Sequence, residues 1–64
     1  MNVPALHYEI RFHRQDGRLS LVMLVPAASE ADAKAQARRM LMGDLANANI
    51  WRAGTLVDSV YRLQ

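Results

Sequence analysis

Cysteine is absent from the chain, so neither a disulfide nor a thiolate-held zinc ion can support the fold. Long apolar runs are missing as well. The longest, Leu21 to Ala28, is interrupted by Pro26 and falls short of the roughly 18 residues that a membrane span requires. The N-terminal MNVPALHYE has no basic stretch leading into an apolar one. A secretory signal is therefore not expected, and a cytoplasmic location is. Lysine is nearly missing: seven arginines and Lys34 face six acids, for a net charge of +2 with no basic run. The only aromatic residues are Tyr8, Phe12, Trp51 and Tyr61. With Tyr8 and Phe12 assigned to the core, they do not make a base-stacking platform.

What is present fits one small folded domain spanning residues 1–64. The composition is 52% hydrophobic and 22% charged, a balance found in globular rather than disordered chains. A domain of 64 residues buries only roughly 60% of its unfolded surface. Chains this small usually rely on a disulfide, a metal or association with another chain, and here association is the support that remains.

In LHYEIRFHR, Leu6, Tyr8, Ile10 and Phe12 alternate with His7, Glu9, Arg11 and His13, the period of a half-buried strand. Asp16-Gly17 then suits a two-residue type I′ turn, which places Phe12 opposite Leu21, Ile10 opposite Met23 and Tyr8 opposite Val25. All six fall on one side, which supports that register. The other side carries the polar residues of the first strand, but it also carries Val22 and Leu24.

The second strand ends at Pro26, and SEAD provides a Ser29 N-cap with an acid three residues on. Glu30 and Asp32 in the first turn, and Arg38 and Arg39 near the end, complement the helix dipole. Gly43 suits the C′ position, so a helix is predicted over about 30–42. Ala33, Ala37, Met40 and Leu41 form its inner stripe, and Glu30 and Lys34 are spaced for an ion pair. DLANAN reads as a polar turn. IWRAGTLV reads as a second hairpin with Ala53-Gly54 at its tip, followed by a strand over 55–63 whose alternation lapses at Asp58-Ser59, as at a bulge. A short helix over 44–51 followed by a single strand is the competing reading. The preferred fold class is α+β: a ββαββ chain, its antiparallel sheet covered on one face by one helix.

Chemistry finds little purchase in this pattern. His7 and His13 on one strand would stand about 20 Å apart, too far to share a metal ion. No phosphate loop, nucleophile elbow or zinc-protease motif occurs, so neither a catalytic residue nor a cofactor is expected. The candidates for recognition are apolar and basic. Val22, Leu24 and Trp51 or Ile50, with part of Val57 or Val60, exceed what one helix can cover. Arg11, Arg14, Arg18, Arg38, Arg39 and Arg52 would form a basic rim. Arginine and tryptophan are favoured anchors at protein interfaces.

The passage VPAASEADAKAQARRML, an apolar strand end running into a Ser-capped, alanine-rich helix, and the IWRAGTLV hairpin resemble the layout of short proteins of phages and other mobile elements, some anti-CRISPR proteins among them. The first hairpin, YEIRFHRQDGRLSLVML, also looks like the start of HicB-type antitoxins, although the third strand that those place before their helix is missing here. The phage-type resemblance implies a non-enzymatic inhibitor that occupies a host protein surface, and no motif transfers a functional residue. The expected function is therefore protein binding through Arg11, Arg14, Arg18, Val22, Leu24, Arg38, Arg39, Trp51 and Arg52, with a homodimer as one form. The alternatives are a basic nucleic-acid binder and a self-assembling structural subunit.

Overall fold

The computed structural model describes residues 6–62. The order is β1 (Leu6–Arg14), β2 (Leu19–Ala27), α1 (Glu30–Met40), β3 (Leu45–Arg52) and β4 (Thr55–Tyr61). The strands form one sheet in the order β2-β1-β3-β4, antiparallel at every pairing. This is the predicted α+β architecture. Because β2 and β3 are both antiparallel to β1, they run parallel to each other, and α1 carries the chain over β1 between them. Among the described residues no helix is long and apolar enough to cross a membrane.

Alternation in β1 builds the core. Tyr8, Ile10 and Phe12 are buried under the helix together with Val25 and Ala27 of β2, Ala48 and Ile50 of β3, and Val60 of β4. The helix contributes Ala33, Ala37 and Leu41, with Met40 packed at the margin. Ala33 and Ala37 are wholly buried, so the helix backbone rests close to the sheet. Ser29 caps it as predicted, its Oγ accepting from Asp32 N–H at 3.2 Å. Asp32 in turn accepts from Ala28 N–H at 3.0 Å.

The β1–β2 register is the predicted one from Leu6↔Ala27 to Phe12↔Leu21, but the turn differs. Gly17 N–H donates to Arg14 O, and Arg14 N–H to Arg18 O, each at 2.9 Å. The loop is thus three residues, Gln15 to Gly17, with only Gly17 (φ 87) in the left-handed region. A type I′ turn would need Asp16 there too. The extra loop residue is offset by a bulge at Ser20, since His13 pairs with Leu19 and Phe12 with Leu21.

Three further expectations are corrected. The helix stops at Met40 with Leu41 as C-cap, which places Gly43 (φ 64) one position beyond C′. Of DLANAN only Asp44 lies in a turn: β3 begins at Leu45, and this also removes the alternative helix over 44–51. Lys34 pairs not with Glu30 but with Asp58 of β4, Nζ to Oδ2 at 2.7 Å. That hydrogen bond, and a second from Ser59 N–H at 2.7 Å, hold the Asp58 carboxyl below the ordinary aspartate range. The lapse in β4 is a bulge whose extra residue is Val57, one position before the predicted site. Leu63, assigned by pattern to the last strand, lies outside the described residues.

The second hairpin has the two-residue turn that the first lacks. Ala53 (φ 50) and Gly54 (φ 80) both take left-handed backbone between the pair Arg52↔Thr55. A left-handed alanine costs roughly 1–2 kcal/mol, whereas asparagine tolerates this conformation and Asn-Gly is the preferred type I′ pair. Ala53→Asn is therefore expected to stabilise the protein by about 1 kcal/mol, which raises Tm by roughly 4–8 °C in a domain this small. Thermal denaturation followed by circular dichroism checks it, and an unchanged or lowered Tm would count against the strained turn.

Candidate protein-interaction face

The register of the sheet assembles the uncovered side residue by residue. β1 places Glu9, Arg11 and His13 there, because Tyr8, Ile10 and Phe12 point into the core. Across from them β2 places Leu24 and Val22, and β3 places Trp51, Asn49 and Asn47. On β4, Leu56 stands across from Trp51 and Ser59 from Asn49.

The middle of this face is polar but internally paired. Arg11 Nε donates to Glu9 Oε2 at 2.5 Å, and its guanidinium lies over the Trp51 ring, 4.4 Å from the centroid. Ser59 Oγ donates to Asn49 Oδ1 at 2.8 Å. Trp51 Nε1 and His13 Nδ1 are buried with no hydrogen-bond partner within the described chain. His7, Glu9, Arg11, Leu24 and Trp51, with the Ala53-Gly54 turn, line a hollow of about 230 Å³.

Apolar side chains flank the paired centre on both edges. Leu24 is 69% exposed, Val22 47% and Leu56 47%. α1 shields none of these three, because it lies against the opposite side of the sheet.

The nine candidate residues are thus divided. Arg11, Val22, Leu24 and Trp51 share the uncovered side. Arg14 and Arg18 stand at the first hairpin tip beside Asp44 and Asp16, at 3.4 Å and 3.8 Å. Arg38 and Arg39 are exposed on α1, in the other layer. Arg52 reaches over the ring of the buried Tyr8, 5.9 Å from its centroid. No continuous basic rim is formed among the described residues. Ile50 and Val60, raised as possible surplus surface, belong to the core, and Val57 packs against it. Leu56 is the part of the face that pattern reading missed; Glu9 was placed on this side, but its pairing with Arg11 was not singled out. Counting outward from a two-residue Ala53-Gly54 turn would have placed Leu56 opposite Trp51. The Glu9–Arg11 pair sits at the i, i+2 spacing of one strand face, a signal too common to single out.

A scan against protein-family models, a search of curated proteins and a search of solved structures give no match for this chain.

Proposed function

We propose that this protein is a small binding module, not an enzyme, and that it docks another protein on the uncovered side of its sheet. The observation that carries the reading is the Arg11–Trp51 stack set between exposed apolar side chains, Leu24 and Val22 on one flank and Leu56 on the other. Arginine and tryptophan dominate the energetics of protein interfaces when apolar neighbours exclude water around them. Leu24, Val22 and Leu56 around the stack supply the apolar surroundings such an anchor needs. Pairing of Arg11 with Glu9 lowers the desolvation cost of burying the guanidinium under a partner. An inhibitor that covers a host protein's surface, the action implied by the resemblance to short phage proteins, is one form of this reading and needs no chemistry of its own.

Dispersal of the remaining arginines weighs against nucleic acid. Groups on the hairpin tip, the helix layer and the Tyr8 ring cannot follow one phosphate backbone together.

The test uses the full chain as bait in nuclease-treated extract of the source cells, beside Trp51→Ala and a combined Arg14, Arg18, Arg38 and Arg39 alanine variant. Expected is a protein held by the wild type and by the arginine variant, insensitive to added salt, and lost with Trp51→Ala. Truncating such an anchor costs about 2 kcal/mol or more, roughly thirty-fold in affinity. Capture that survives Trp51→Ala overturns the reading. So does binding of labelled mixed-sequence DNA or RNA that falls steeply with salt and vanishes in the arginine variant.

A further inference from the structure

The two edges of the sheet are unlike. β4 is seven residues long, carries Asp58 and Ser59, and is broken by the bulge at Val57, all features that discourage pairing with another strand. β2 is nine residues long and has no charged residue from Leu19 to Ala27. Leu19, Leu21, Val22 and Leu24 along it are exposed.

Backbone direction follows from one contact. Gln36 Nε2 of α1 donates to Pro26 O at 2.9 Å, so this carbonyl is turned away from β1. The amide nitrogen and carbonyl of a strand residue point the same way, so the Pro26 nitrogen also faces outward, where its missing N–H costs no bond within the sheet. The register is unbroken from Leu21 to Ala27, and period two therefore turns the N–H and C=O groups of Leu24 and Val22 outward as well. Among the described residues no side chain is bonded to them. Helix and proline thus close the far end of this edge and leave its middle open.

We propose that β2 is a dimer edge: two copies pair antiparallel about a two-fold axis near Met23, Val22 of each opposite Leu24 of the other. Each such pair exchanges both of its backbone bonds. The strand suits a second copy of itself because no charge opposes a like charge along it. Antiparallel pairing also brings Arg18, just before β2, towards Glu30, just after it, in the other copy. Arg18 is free to be shared: its contact with Asp16 is long, 3.8 Å, and its side chain is 83% exposed. The product is a continuous eight-stranded sheet with both helices on one side and both uncovered faces on the other. Growth stops there, since the blunted β4 forms the new edges and a two-fold pairing is closed. Pairing uses backbone groups of β2 and does not depend on the function proposed for the Trp51 face.

The test is sedimentation equilibrium on the full chain across a range of concentrations, joined to amide hydrogen exchange. Expected is a mass near twice 7.2 kDa. At concentrations that populate the dimer, the Val22 and Leu24 amides should exchange slowly, although neither bonds within the monomer. Leu24→Lys, which sets a charge in the pairing and leaves the monomer core untouched, should halve the mass, whereas Trp51→Ala should not. A wild type at single mass throughout overturns the proposal, as do rapid exchange at both amides in the dimer or a dimer dissociated by Trp51→Ala. Exchange is measured on the wild type, so that readout survives any variant that fails to fold.

Discussion

Phe12→Ala is expected to leave the chain largely unfolded at room temperature. Among the described residues Phe12 is, with Ile10 and Ile50, one of the largest fully buried side chains. Truncation of a buried phenylalanine costs about 3–5 kcal/mol, and a chain of this length holds only roughly 3–10 kcal/mol in total, at about 0.05–0.15 kcal/mol per residue. The cavity has little means of collapsing. On the helix side the core is lined by Ala33 and Ala37, whose short side chains cannot swing into the gap. Urea denaturation read by circular dichroism and by the fluorescence of Trp51 measures the effect, and a midpoint close to that of the wild type would refute this account of the core.

The second large effect lies on the helix. Ala37→Leu places a long side chain at a position with no exposure, over strands that approach the helix closely. Overpacking of this kind typically costs 1–3 kcal/mol, here expected at about 3 kcal/mol because the neighbouring Ala33 keeps the helix backbone pinned to the sheet. The contrast is Ala31→Leu on the exposed side of the same helix, where a change within about 0.5 kcal/mol is expected. Denaturant midpoints of the two variants decide between a helix seated through its alanines and one that can ride higher. Equal midpoints would exclude the former.

Much of this layout is legible in the chain because local chemistry and hydrophobic period agree there. Tyr8, Ile10 and Phe12 meet Val25, Met23 and Leu21 in the predicted register, and the Ser29 cap marks the helix start. Val22 and Leu24 are legible as surplus because they share a side with charges. Other features were hidden for physical reasons. Asp-Gly serves a two-residue turn and a three-residue loop equally well, and only the distant pairing decides between them. In LANANIWR the alternation is present, with Ala48 and Ile50 inward and Asn47 and Asn49 outward. It is masked because alanine is a faint apolar signal and asparagine is depleted in strands. The partner of Lys34 is 24 positions away in sequence, and no local spacing can reveal it. The recognition face is half legible: its apolar half follows from the strand period, while the division of the arginines depends on the tertiary arrangement.

Each of the three strand pairings contains one irregularity, after Phe12, after His13 and after Ile50. β2 gains most from such a device, since Leu21 to Val25 are apolar at successive positions and the alternation of β1 is the main pattern that opposes a slide of one residue. Bulges act as notches that admit a single alignment. The protein thereby keeps an oily strand in place by the shape of its backbone, and the side chains of that strand are released from specifying the alignment.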